Sequence, residues 1–89
     1  FGNLQHAERL YREALVAWRR VEGEWHWRTL EAQLHLAWTL AHQNKFAEAR
    51  EIRDAVLPIA RRVLGPDHNL TRSLARVPLE SNAETSDTH

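Results

Sequence analysis

Several residue types and patterns that define common protein classes are absent or scarce in this chain of 89 residues. It contains no cysteine, which excludes disulfide frameworks, thiolate zinc sites and cysteine nucleophiles. Three glycines and three prolines are too few for collagen-like or low-complexity sequence. No apolar run approaches the roughly 18 residues of a membrane helix, so no membrane partner is expected. No secretory signal peptide is recognised, although Phe1 leaves the natural start open, and we expect a cytoplasmic location.

An excess of charge of one sign is also absent. Twelve basic and twelve acidic residues give a formal net charge of zero, so no overall field attracts nucleic acid. The pairs Arg19-Arg20 and Arg61-Arg62 would lie on successive helices, but glutamates are interleaved with the arginines along the chain. We therefore expect a solvated outer face there and no nucleic-acid partner.

Apolar residues recur at steps of three and four along most of the chain, which is typical of amphipathic helices. This spacing predicts three long helices and a short fourth, over about residues 4–21, 27–42, 46–64 and 69–76. Gly23 and Gly65 are predicted to end the first and third helices, and Asn44 is predicted to turn the chain between the second and third. Pro58 lies inside the third helix and predicts a kink near residue 57. Asp67 or Asn69 is the expected cap of the fourth helix.

The helical spacing of apolar residues ends before residue 79, and this divides the chain into a helical domain and a tail. Residues 1–78 are predicted to form one helical domain. The last stretch, residues 79–89, has almost nothing to bury and carries Glu80, Glu84 and Asp87 without a lysine or arginine. We therefore predict a disordered acidic C-terminal tail.

An internal repeat appears when the chain is aligned with itself at an offset of 42 residues. Apolar positions then coincide, with Leu4 on Phe46 and Leu10 on Ile52. Several positions are identical: Arg19, Arg20, Val21, Gly23, His26 and Thr29 recur as Arg61, Arg62, Val63, Gly65, His68 and Thr71. The first and third helices are therefore equivalent, and so are the second and fourth.

The repeated residues resemble those of the tetratricopeptide repeat (TPR) family. The resemblance rests on Glu48-Ala49, Ile52, Leu57 and the run Arg-Val-Leu-Gly-Pro-Asp-His over residues 62–68. It covers roughly residues 4–76 and is closest to the 42-residue variety found in kinesin light chains and in actinobacterial multi-repeat regulators. It implies an all-α fold in which antiparallel helical hairpins stack as a short right-handed solenoid. The chain departs from the family pattern at His35, Asn44 and Arg53.

The resemblance also implies where a partner would bind. In this family the first helix of each repeat lines a concave groove, and residues 27–42 supply the one complete groove helix. The resemblance thus implies five candidate contacts on its exposed inner side: Glu31, Leu34, His35, Trp38 and His42. Helical spacing supports a common face for residues 31, 35, 38 and 42. An exposed tryptophan there would be a strong peptide contact. Trp38 has a second interpretation, in which it packs against a neighbouring repeat.

Two functions from different classes remain open. In the first, the chain is a protein–protein interaction module that binds a peptide or a segment of a partner protein in the groove. In the second, it is the C-terminal end or an oligomerisation element of a larger TPR regulator and has no ligand of its own. The first helix would then expose apolar surface, a homodimer could form through the repeat edges, and Trp18, Trp25 and Trp27 would be interface residues.

Catalysis, metal binding and cofactor binding have little support in the sequence. No serine stands in a Gly-x-Ser-x-Gly elbow, and no glycine loop is suited to phosphate. Glu31 and His35 are one helical turn apart with His42 further along, but no His-Glu-x-x-His run is present. His26 and His68 occupy equivalent loop positions and are expected to cap helices. We therefore expect neither an enzyme, nor a metal site, nor a cofactor.

Overall fold

Four helices follow one another in the computed structural model, which describes residues 3–79. They are α1 (Asn3–Val21), α2 (Trp27–His42), α3 (Phe46–Val63) and α4 (Asn69–Ala75). The described residues form no strand. The predicted helices are thus confirmed, with ends that agree to within one residue. None of these helices is both long and apolar enough to cross a bilayer.

The helices pack as a short stack of antiparallel hairpins. α2 lies at the centre and packs against α1, α3 and α4, while α3 also packs against α4. The molecule is only 18 Å thick, which is about two helix diameters. This arrangement confirms the all-helical class and the short helical repeat predicted from the sequence.

The core consists mainly of side chains from α2. This helix buries residues on nearly every side, and Leu30, Ala37 and Leu40 have no exposed surface. From α3, Ala49 and Ala60 are also fully buried. Because alanine side chains are so short, helices that meet at these positions can approach closely. α1 contributes one buried residue, Leu15, and its Tyr11 and Trp18 pack half-buried against the core.

The turns have the backbone conformations that the sequence predicted. Gly23 and Gly65 have φ values of +91° and +96°, a region that residues with a β-carbon rarely adopt. Asn44 has a φ of +64° and turns the chain between α2 and α3. Pro58 is exposed on α3, which runs unbroken from Phe46 to Val63. The kink expected near residue 57 stays a prediction.

Two equivalent histidines cap the helices that follow these glycines. The backbone N–H of Arg28 donates to Nδ1 of His26 at 3.1 Å, and the N–H of Leu70 donates to Nδ1 of His68 at 3.0 Å. Each histidine thereby satisfies one of the free N–H groups at a helix start. The capping role predicted for both histidines is confirmed. The prediction that Asp67 or Asn69 caps α4 was wrong, because His68 precedes the first helical residue and its ring reaches the free N–H.

The predicted tail falls almost entirely outside the described residues. Its first residue, Leu79, is described and packs half-buried against the core. The prediction of disorder for the remaining tail residues stays a prediction.

A polar cluster attaches α1 to the turn between α2 and α3. The carboxylate of Glu8 accepts hydrogen bonds from Gln43 Nε2 at 2.9 Å, Lys45 Nζ at 3.1 Å and Arg12 Nε at 2.9 Å. The pKa of Glu8 is lowered to about 2, and the hydrogen bond from Gln43 contributes most to this change. Lys45 and Arg12 lower the pKa further, and together the three partners outweigh the opposite effect of desolvation. The ionised carboxylate therefore stabilises the fold.

Glu8→Gln should lower the free energy of unfolding at pH 7 by about 1 kcal/mol, a value reduced for the exposure of Lys45 and Arg12. The pKa of Glu8 is depressed in the folded state, so this contribution is present above the unfolded pKa of 4.5. It is lost as the pH falls through that value to about 2. Urea unfolding followed by circular dichroism between pH 7 and pH 2 measures it. Glu13→Gln, an exposed change on the same helix, is the control. Equal stability of the two variants at pH 7 would contradict the role of Glu8.

Candidate functional site

An open cavity of about 600 Å³ lies between α2 and α4. The end of α3 and the loop that follows it complete one side. Nine residues line the cavity: Trp27, Glu31, Leu34, His35, Leu64, His68, Asn69, Leu70 and Ser73. The cavity thus lies between two equivalent helices of successive repeats.

The repeat positions explain why the two walls of the cavity correspond. Trp27 and Asn69 are 42 residues apart, and each is the first residue of its helix, directly after a capping histidine. Glu31 and Ser73 are also 42 residues apart and lie one turn further along. Because the two helices begin side by side, equivalent positions on both face the same space.

The floor of the cavity is apolar. Leu34 and Leu70 are 7% and 8% exposed, so both line the cavity from beneath. Leu64 is half-buried beside them, and Trp27 is exposed at the rim. An apolar floor with a few polar groups around it is the usual composition of a ligand-binding cleft.

The polar groups of the cavity are few and differ in kind. Glu31 is half-buried and is the one lining residue that carries a full charge when histidine is neutral. Within residues 3–79 its side chain makes no hydrogen bond or ion pair. The ring of His35 stacks on Tyr11 of α1, with 5.2 Å between the ring centroids. Nδ1 of His68 accepts the capping hydrogen bond, so the neutral ring carries its proton on Nε2.

The structure brings three of the five predicted groove residues into one cavity. Glu31, Leu34 and His35 line it together, although Leu34 is buried in the floor and not exposed as predicted. Trp38 and His42 do not line it. Their rings lie side by side, with 5.7 Å between the centroids.

Trp38 makes a contact that fits the packing interpretation. It is half-buried, and its indole Nε1–H donates to the backbone carbonyl of Ser73 at 3.3 Å. That carbonyl lies in the last turn of α4, where it also accepts a hydrogen bond from the backbone N–H of Arg76 at 3.1 Å. Trp38 therefore holds α4 against α2.

The three predicted interface tryptophans lie at the end of α1 and the start of α2. Trp18 is half-buried and packs against the core, while Trp25 and Trp27 are about half exposed. The guanidinium of Arg28 lies 4.9 Å from the centroid of Trp18 and 5.3 Å from that of Trp27. These contacts are cation–π interactions. Of the three tryptophans, Trp27 lines the cavity.

Sequence reasoning missed the second wall of the cavity. Five of its lining residues follow α2 and were not proposed: Leu64, His68, Asn69, Leu70 and Ser73. The repeat could have found some of them. Adding 42 to Trp27 and Glu31 gives Asn69 and Ser73, which face the same space.

The groups around the cavity are suited to non-covalent recognition. They comprise an apolar floor, one carboxylate, two imidazoles, an amide and a hydroxyl. In the part of the chain that the structure describes, no three histidine or acidic side chains lie close enough to hold a metal ion.

The stacked hairpins and the groove between equivalent helices define a helical-repeat protein. The sequence matches the model of the tetratricopeptide repeat family over residues 1–27 and 29–70, more than half of the chain, and the protein belongs to that family. Comparison with curated proteins and with solved structures gives no match. Tetratricopeptide repeats are a non-catalytic family that generally mediates protein–protein interaction.

Replacing Trp38 by alanine should lower the free energy of unfolding by about 2–3 kcal/mol, because a large half-buried side chain and its hydrogen bond to α4 are lost together. Trp25→Ala removes an equally large but exposed side chain and should cost less than about 1 kcal/mol. Chemical denaturation monitored by circular dichroism compares the two. Similar stability of both variants would contradict the packing role of Trp38.

Proposed function

We propose that this chain is a protein-binding module that holds a peptide segment of a partner protein in the cavity between α2 and α4. The observation that carries the proposal is the cavity itself, which combines about 600 Å³ of open space with a buried apolar floor. Membership of a protein-interaction family supports the same function. No catalytic step or cofactor is part of the proposal. As part of it we place the protein in the cytoplasm, since a chain without cysteine needs no oxidising compartment.

The proposed contacts divide the five predicted groove residues into two groups. Glu31, Leu34 and His35 contact the peptide directly, because they line the cavity. Trp38 and His42 lie outside it and act on the peptide indirectly, through the position of α4. Trp27 joins the direct contacts, because its exposed ring stands at the rim.

The form of the cavity favours an extended segment with one apolar anchor. Leu34, Leu64 and Leu70 offer an apolar surface to a single side chain. The ring of Trp27 can cover that side chain from the rim at little cost in conformational entropy. Recognition then depends on shape and a few contacts.

Ser73→Trp should abolish peptide binding, because an indole at this position fills the cavity from the α4 side. Peptides selected from a displayed random library against the wild-type chain provide the probe, and fluorescence anisotropy measures their affinity. The affinity should fall at least tenfold, which corresponds to about 1.4 kcal/mol.

Ala75→Trp is the matched control for this experiment. It places the same side chain on an exposed position of α4 that does not line the cavity, so binding should be retained. Circular dichroism verifies that both variants are helical. Binding that survives Ser73→Trp, or a library that yields no peptide, would contradict the proposed function.

A second candidate function, self-association, is favoured by one specific difference between equivalent helices. Leu10 on α1 is 49% exposed, whereas its equivalent on α3, Ile52, is half-buried against the core. Likewise Ala7 is half-buried, whereas its equivalent, Ala49, is fully buried. Among the described helices, α3 packs against both α2 and α4, whereas α1 packs against α2 alone. A second copy of the chain would bury the exposed face of α1.

If α1 forms such an interface, the wild-type chain should show a mass that rises with concentration in sedimentation equilibrium, and Leu10→Glu should be a monomer throughout. Val16→Glu is the matched control: Val16 is exposed on the same helix, and its equivalent on α3, Pro58, is exposed too. A wild-type chain that stays monomeric up to the highest concentration would contradict self-association.

A further inference from the structure

We propose that the cavity between α2 and α4 is selective for a basic segment, in which an arginine or lysine side chain lies beside an apolar residue. This inference rests on the proposed function and specifies the chemistry of the peptide. The cation would meet Glu31, and the apolar neighbour would occupy the floor formed by Leu34, Leu64 and Leu70.

The charge of the cavity carries the proposal. Of the nine lining residues, Glu31 alone carries a full charge when histidine is neutral, and none is a lysine or an arginine. Glu31 is half-buried next to an apolar floor. A carboxylate in such surroundings is attracted to a cation more strongly than it would be in bulk water, because water screens the pair less.

Glu31 has no partner within the described residues, and the nearest arginine along α2 is otherwise engaged. Arg28 stands three residues before Glu31, a spacing at which ion pairs commonly form on a helix. Its guanidinium instead lies over the rings of Trp18 and Trp27, at 4.9 and 5.3 Å from their centroids. The carboxylate is thus left to a group from outside residues 3–79.

The acidic end of the chain does not supply that group. Residues 80–89 contain Glu80, Glu84 and Asp87 but neither lysine nor arginine. Like charges repel, so Glu31 disfavours this segment, and acidic peptides in general, as occupants of the cavity. A basic segment of a partner protein has the complementary charge.

The geometry of the guanidinium favours arginine over lysine as the partner of Glu31. The planar guanidinium of arginine can donate two parallel hydrogen bonds to a carboxylate, whereas the compact ammonium of lysine is more strongly hydrated. We therefore expect selected peptides to contain arginine more often than lysine.

Selection from a displayed library of random peptides tests this inference, with the wild-type chain and Glu31→Gln as targets. Peptides enriched on the wild type should contain an arginine or lysine next to an apolar residue. One such peptide is then synthesised in two forms, with the basic residue present or replaced by glutamine. Glu31→Gln should weaken the basic form about tenfold and leave the glutamine form unchanged.

Two further variants make the result specific. Glu51→Gln removes the same charge from an exposed position on α3 that does not line the cavity, and it should bind like the wild type. Glu31→Lys should reverse the selection and enrich acidic peptides. Glu31→Gln is nearly isosteric, so it remains the decisive variant if the lysine variant does not fold.

The outcomes separate this inference from the proposed function. If Ser73→Trp abolishes binding but the selected peptides lack a basic residue, or Glu31→Gln binds the basic form as tightly as the wild type does, the inference is overturned and the function stands. If no peptide is selected, or Ser73→Trp leaves binding intact, the function fails and the inference fails with it.

Discussion

The central position of α2 is the constraint on which the rest of the structure depends. Each of the other helices packs against it, and it buries residues on nearly every side. This is feasible because α2 meets its neighbours partly through alanines, with Ala37 and Ala49 both fully buried. A helix buried on most sides exposes only a narrow strip of its surface to solvent. Glu31 and His35 lie on the exposed strip of α2, and both line the cavity.

The sequence was sufficient to predict the helices and turns because these depend on local periodicity and on an internal repeat. The positive φ of Gly23, Gly65 and Asn44 and the capping histidines follow from the same local chemistry. For the cavity, the sequence predicted only the wall formed by α2, because the second wall is formed by residues of the next repeat. Periodicity placed Trp38 on the inner face of α2, but it could not show that α4 covers that position.

Equivalent residues in the two repeats have different surroundings, and this limits what a repeat can predict. Leu10 and Ile52 occupy the same position in the sequence pattern, yet Leu10 is half exposed while Ile52 packs against the core. The pattern records which face of a helix is suited to burial. Whether that face is buried depends on a neighbouring helix, and α1 lacks one that α3 has.

One wall of the cavity is formed by α4, so the cavity exists only while this short helix is folded. With seven residues, α4 is well below the roughly 12–15 residues at which isolated helices become marginally stable. Its order therefore depends on its tertiary contacts: the buried side chains of Leu70 and Leu74, the cap from His68 and the hydrogen bond between Trp38 and Ser73. A ligand that touches Ser73 binds only the fraction of molecules in which α4 is formed, so its apparent affinity scales with that fraction. Any change that lengthens or steadies α4 would then tighten binding without touching the ligand.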